Sequence, residues 1–509
     1  MNQYNTALKS LYHNKFKATA KKFASANSND LIQISIEALL KIGEERILNL
    51  YNMGGLDSYF YTIMRNQVVL KRSPYNKLFS QKYIGIDDIE SKPNEITDKQ
   101  ASKIKDLDWD DKILLEEYTK VGSLRKLSTK VNTNRPLITK RINMIKNKLT
   151  AVRILAITPA YGGVEFHRLI TPLDELAKDE GFIVDKTQMI DGVGVEHLQK
   201  YDIVIFNRNI SNPKENKDTK KIARLNPEAI FAALKEADVV SVCDLDDYWL
   251  LPKHHVSAKF YDDVNFSKCI ENTIKFSDHV LVTTDILKRR VKELTKISDN
   301  IHVVPNAINL DDPQFNVKRV KSDKIRLLYQ GGVTHLRDIK LITNNVILKG
   351  NKKIDAILII AGYVKGIKVW ETILKEFKKV FTEVQTVEGC KPNEYAKVYA
   401  QADICLVPLE DNDFNKHKSE LKVLEAAAYG LPVIVSGVKP YTNICVHMNN
   451  AYIINPKRNV DWLKAINSMI SNRELRYLLA DQLKEDVDKK YNFKEIVELR
   501  KEIFKKIIK

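Results

Sequence analysis

From residue 152 the chain alternates short Val- and Ile-rich runs with amphipathic stretches, and it does so twice. The first series is VRILAIT, FIVD, DIVIFN, DVVSVCD, HVLVTT and IHVVPNA; the second is IRLLYQGG, AILIIAG, VQTVEG, DICLVPL and PVIVS. Runs of four to seven apolar residues, too short for helices and too continuous for strands with one wet face, belong to parallel sheets covered on both faces. The interleaved segments, such as NPEAIFAALKEA, carry helical spacing. Two such series in succession predict two doubly wound, Rossmann-like α/β domains at 151–310 and 323–480, followed by C-terminal helices at 481–509. Ligands of such sheets sit at the carboxyl ends of the strands, so a site is expected between the domains.

Before residue 151 the grammar is helical. LIQISIEALLKI and LDSYFYTIMRNQVVLK repeat apolar residues every three or four positions, with Asp30 and Asp57 as candidate N-caps, and predict a helical domain over 1–82. A polar, Pro-containing interval at 83–105 reads as a linker. Three helical segments broken at Gly122 and Asn132-Thr133-Asn134 predict a helix-turn-helix at 106–150. The chain is basic, with a formal net charge of +17, and residues 1–150 hold 26 Lys and Arg against 16 Asp and Glu. Residues 121–150 contain eight basic residues and no acidic one. Such a single-signed surface attracts phosphate backbones, though a solvated lysine face has the same composition. If the third segment enters a groove, Asn134, Arg135, Thr139, Lys140, Arg141 and Lys146 lie on it, with Arg125 on the segment before.

No apolar run approaches a membrane span, and the N-terminus lacks the apolar core of a secretory signal, which together predict a cytoplasmic protein. Five scattered cysteines form no C-x-x-C pair and suggest neither a disulfide framework nor a zinc site.

Two stretches concentrate chemistry. In FNKHKSELKVLEAAAYGLPVIVS, residues 414–436, a helix starting near Lys418 would carry Lys418, Lys422 and Glu425 on one stripe and Leu421, Leu424 and Ala428 on another. Helix-start amides, Ser419 and two ammonium groups would then cradle a phosphate or diphosphate, leaving Glu425 for sugar hydroxyls. An ordinary amphipathic helix with solvated lysines fits the same pattern. In VVSVCDLDDYWLLPKHH, Asp244, Asp246 and Asp247 follow a buried strand. Metal binding and helix capping are both open to such carboxylates.

Residues 152 to about 470 resemble GT-B glycosyltransferases of the family 4 type. Glu425-Ala426-Ala427 and Gly430-Leu431-Pro432-Val433 match the second half of that family's nucleotide-sugar motif. Its first glutamate, eight positions earlier, is replaced here by His417. The resemblance implies that the loop bearing Gly162, Gly163, His167 and Arg168 approaches acceptor and diphosphate. It further implies that Gly331, Gly332, Thr334, His335 and Arg337 face the diphosphate, and that the backbone near Val387–Gly389 holds the base. It places Pro305-Asn306 at the interdomain connection. The resemblance also implies that no bound metal is needed and that Asp244 or Asp247 holds an acceptor or sugar hydroxyl, so the candidate catalytic set is His167, Asp244, Asp247 and Lys422. The donor is a nucleotide sugar, expected to be a UDP-sugar, with no other cofactor. Residues 30–80 and GSLRKLSTKVNTNRPLITKRI resemble regions two and four of bacterial sigma factors. A DNA reader fused to a sugar-transfer unit suggests a hydroxymethylated pyrimidine in DNA as acceptor, as in phages that glycosylate their genomes, with retention of configuration. A cell-surface or protein glycosyltransferase, and a DNA-binding regulator with a non-catalytic sugar-sensing domain, are the alternatives.

Overall fold

The computed structural model describes residues 28–41 and 98–508, less 132, 160, 161, 189, 191–193, 211–226, 298, 348–352 and 459, together with single helical positions between residues 20 and 64. The helix expected over LDSYFYTIMRNQVVLK, apart from those single positions, and the linker from 83 to 97 lie outside the described residues. Helix α1, Ser28–Leu40, contains Asp30 in its first turn, so Asp30 does not cap it.

The other N-terminal helices are α2 (Asp98–Lys105), α3 (Trp109–Val121), α4 (Leu124–Lys130) and α5 (Arg135–Thr150). The expected helix-turn-helix domain is divided. Helices α1 and α3 belong to one compact unit, while α2, α4, α5 and all that follows belong to another. The reason lies in what α2 and α5 bond to. The end of the expected linker is helical, and in α2 the ammonium of Lys103, 8% exposed, meets Asp202 at 2.8 Å and the carbonyl of Ala151 at 3.1 Å. Lys99 sits 3.5 Å from Asp202 and bonds the carbonyl of Asp238 at 2.7 Å. Just beyond α2, Asp106 accepts from Arg153 at 2.6 Å. Helix α4 packs on α5, Leu127 and Ile138 are buried, and α5 runs through Ala151 into the first strand, with Asn147 donating to Glu180 at 2.8 Å.

The two α/β domains are as the alternation requires. The first sheet contains β1 (Val152–Ile157), β2 (Phe182–Thr187), β3 (Ile203–Asn207), β4 (Val240–Leu245), β5 (His279–Val282) and β6 (Ile301–Val303), in the order β2-β1-β3-β4-β5-β6. The second contains β7 (Arg326–Gln330), β8 (Ile354–Tyr363), β9 (Phe381–Glu388), β10 (Ile404–Val407), β11 (Val433–Ser436) and β12 (Tyr452–Ile454), in the order β12-β11-β10-β7-β8-β9. Every recorded strand pair is parallel. All six residues of β1 and all four of β10 and β11 are buried, as expected for strands covered on both faces.

The helix after β1 is not continuous. Gly163–Glu165 and Thr171–Leu176 are α-helical, and the intervening Phe166–Ile170 form a π turn that contains His167 and Arg168. Such turns re-aim side chains and recur at functional sites. EYAKVYAQ forms a 3-10 helix over Tyr395–Gln401. The last two helices, α7 (Arg473–Lys490) and α8 (Phe493–Ile507), follow α6 (Leu421–Ala428). Asn472 and Asn492 cap them, and α8 returns to the first sheet, where Phe493, Val497 and Phe504 share a core with Ile154, Leu169 and Leu173.

Candidate functional site

The stretch 414–436 does not form one helix. Asn412 caps a short helix, Asp413–Lys416, by accepting from the Asn415 amide at 2.8 Å; the chain then turns, and α6 begins only at Leu421 with Glu420 as N-cap. Lys418 and Ser419 therefore lie in the turn before α6, held there by Asn306, whose amide donates to Ser419 Oγ at 2.7 Å. Gly430, at φ +60°, ends α6, and the amides of Gly430 and Leu431 close back onto Ala427 and Ala426.

Lys418 and Lys422 remain together despite the correction. Both are half-buried, Lys418 over the Phe414 ring at 5.0 Å and Lys422 over the Tyr329 ring at 6.0 Å. Neither ammonium has a hydrogen bond or ion pair among the described residues. Burial, with repulsion from Lys418, lowers the pKa of Lys422 to about 8. A second ring of groups faces them. Burial and both lysines depress His335 to about 3, so its ring is neutral and bonds Asp338 at 2.9 Å. Asp247 comes from the other domain, beyond the end of β4; burial and neighbouring Asp246 push its pKa up, while Lys418 and Lys422 pull the other way. The lysines thus stand where the carboxyl ends of the two sheets meet.

The three adjacent carboxylates separate. Asp244 is fully buried and holds both oxygens against Arg168, at 2.8 and 2.9 Å, with Arg500 at 3.5 Å. No oxygen is turned toward an acceptor, which corrects the role expected for Asp244. Asp246 takes Arg208 through two bonds of 2.6 Å. Asp247 has Arg208 at 3.6 Å and a side chain 27% exposed, which makes it the most accessible of the three carboxylates. Among the described residues no three His, Cys, Asp or Glu side chains converge on a possible metal position.

Arg337 is likewise corrected. Its side chain is 54% exposed and forks onto Glu410 at 2.6 and 3.1 Å rather than joining the lysines. His167 sits across the domain seam: its Nε2 is 2.6 Å from the Tyr395 hydroxyl, and burial lowers its pKa to about 4. Tyr395 in turn bonds Glu425, whose other oxygen accepts from Tyr399 at 2.6 Å. Glu425 is 2% exposed and its pKa is raised by burial; each oxygen keeps one unused lone pair.

Among the glycines, Gly331 is tightly constrained: a Cβ there would stand 2.9 Å from the Tyr329 hydroxyl. Gly162, Gly163, Gly332 and Gly389 have open space where a side chain would be, and Thr334 is exposed. The Gly162 amide donates to Glu165 at 2.9 Å, so it is not vacant for a ligand. Tyr395, Tyr399, Asp338 and Asn306 take part in the site without having been assigned to it from sequence. The i, i+3 spacing of His335 and Asp338 was a legible signal for one of them. On α5, Arg135, Lys140, Arg141 and Lys146 are exposed, Asn134 also, and Thr139 is half-buried with its hydroxyl on the Arg135 carbonyl at 2.9 Å; Arg125 is exposed on α4.

Comparison with known proteins agrees with this architecture. Residues 324–472 match the family described as Glycosyl transferases group 1. An uncharacterized glycosyltransferase of Methanocaldococcus jannaschii is 24% identical over 245 residues, covering 45% of this chain and 60% of its own length, so the chain spans under two thirds of that relative. Sucrose-phosphate synthase from Thermosynechococcus elongatus superposes with a TM-score of 0.51 at 15% identity, over 70% of this chain and 99% of that one; the likeness is one of fold. The fold is that of the GT-B glycosyltransferases. The part of the second α/β domain that matches the group 1 family carries Lys418, Lys422 and Glu425.

Proposed function

We propose that this protein transfers a sugar from a nucleotide-sugar donor, expected to be a UDP-sugar, to a hydroxyl acceptor. The observation that carries the reading is the pair of half-buried ammonium groups, Lys418 and Lys422, with no carboxylate within ion-pair distance among the described residues. Burying cations without partners is costly, and a diphosphate supplies the missing charge. As the bond between the anomeric carbon and the phosphate oxygen breaks, its electron pair leaves with the diphosphate, where two fixed cations stabilise it. The acceptor oxygen bonds to the anomeric carbon, and its proton passes to the departing phosphate oxygen. Asp247 is suited to hold the acceptor hydroxyl. Retention of configuration is the stereochemical outcome we adopt, to be read from the anomeric proton of the product by NMR.

For the acceptor we propose hydroxymethylated pyrimidine in duplex DNA, supported by the exposed basic residues of α4 and α5. The test supplies labelled UDP-, GDP- and ADP-sugars with hydroxymethylated duplex, plain duplex, oligosaccharide or lipid acceptors. Label in the modified duplex is expected, and transfer to lipid or oligosaccharide alone would reject DNA as acceptor. Deleting residues 1–150 is a poor control, because it removes the Lys103–Asp202 brace. Arg125→Ala/Arg135→Ala/Lys140→Ala leaves the sheet contacts intact and is expected to weaken DNA binding and flatten its salt dependence by about two to three released counterions.

A further inference from the structure

The turn carrying Lys418 is tied to the buried centre of the other domain by a chain of hydrogen bonds with a defined direction. Arg168, 2% exposed, donates to both oxygens of Asp244, to the Val304 carbonyl at 2.7 Å and to Asn306 Oδ1 at 3.1 Å. A guanidinium can only donate, so the amide oxygen of Asn306 must face Arg168 and its NH2 must face Ser419. That NH2 can only donate too. At 2.7 Å it makes Ser419 Oγ an acceptor and turns the hydroxyl hydrogen elsewhere. No acceptor for that hydrogen exists among the described residues, and Ser419 is half-buried next to Lys418 in the chain.

We propose that Asn306 is a positioning residue for the leaving group: oriented by Arg168, it aims the Ser419 hydroxyl hydrogen at the phosphate oxygens held by Lys418 and Lys422. This rests on the diphosphate reading above. Asn306→Asp reverses the polarity while keeping a partner for Arg168, because a carboxylate facing Ser419 draws the hydroxyl hydrogen onto itself.

The experiment measures, by calorimetry, the affinity of the full chain for the tightest binder among UDP, GDP and ADP, with kcat and KM for the corresponding sugar donor. Ser419→Ala in the natural background should weaken nucleoside diphosphate about tenfold or more, the scale of a hydrogen bond to a charged group, and should lower kcat more than it raises KM. In the Asn306→Asp background the same Ser419→Ala change should alter affinity less than about twofold, since the donor has already been withdrawn. Equal losses in both backgrounds would overturn the proposal, because Asn306 would then act by charge or structure alone. If Asn306→Asp does not fold, Ser419→Ala on its own decides: unchanged affinity refutes the inference. Lys422→Ala separates the two readings. Lost binding in Lys422→Ala with none in Ser419→Ala refutes only this inference, whereas binding untouched by both refutes the diphosphate site itself.

Discussion

Lys422 should be a residue that weakens the fold in order to bind its ligand, and Lys422→Met tests this directly. Its pKa falls from 10.5 to about 8 because burial penalises the charged form. At neutral pH the folded protein therefore holds a proton there less tightly than the unfolded chain does. One pKa unit corresponds to about 1.4 kcal/mol, so the shift implies a penalty of at most about 3 kcal/mol, and partial solvent contact reduces it to about 1–3 kcal/mol. The penalty is complete below about pH 8, shrinks as the folded-state lysine releases its proton above that value, and vanishes near the ordinary value of 10.5. Methionine is similar in length and uncharged. Lys422→Met should raise Tm at pH 7 by about 2–8 °C, and by much less at pH 10.5, while abolishing measurable nucleoside diphosphate binding. Calorimetric melts across pH 6–10.5 give the curve. A variant that is no more stable at pH 7, or equally stabilised at both ends of the range, would refute the desolvation argument. In the natural protein the same titration predicts that diphosphate affinity falls above about pH 8, approaching tenfold per unit, with proton uptake on binding in that range.

Two further outcomes follow from where other charges lie. Arg337→Ala should change donor KM by less than about twofold, because Arg337 is spent on Glu410 and an exposed pair contributes little; steady-state kinetics would show it, and a tenfold rise would return Arg337 to the site. Lys103→Met should cost about 1.5–3 kcal/mol in a denaturant melt, since it removes the 2.8 Å partner of the Asp202 carboxylate, 7% exposed, and leaves it Lys99 at 3.5 Å and the Arg153 amide at 2.8 Å; near-neutral behaviour would show that α2 does not brace the sheet.

The fold was legible because parallel strands buried on both faces have no polar alternation to confuse, and eleven short runs in two series leave few topologies; the three-residue edge strand β12, Tyr452–Ile454, was too short to stand out. The site was legible only where neighbours in sequence are neighbours in space, as for Lys418 and Lys422. Asp244, Asp246 and Asp247 are indistinguishable in the sequence, and what separates them is Arg168 and Arg208, which lie 76 and 38 positions away. Arg337 read as a diphosphate cation because Glu410, 73 positions on, was not visible as its partner. The start of α6 was misplaced for a related reason. Local propensity allows a helix from Lys418, but the cap at Asn412 and the bond from Asn306 break it into two pieces.

Strand β1 has a second use as a spacer. Its amino end continues from α5, and its carboxyl end opens toward the turn of Gly162 and the seam between the sheets. Six residues of strand separate these ends by about 20 Å, more than half of the roughly 34 Å turn of a B-form duplex. On the DNA-acceptor proposal, a duplex gripped by α5 would reach the seam between the sheets with a different part of its length, so sugar should be laid down at a preferred offset from the anchored stretch, and duplexes much shorter than about two turns should be poor acceptors however tightly they bind.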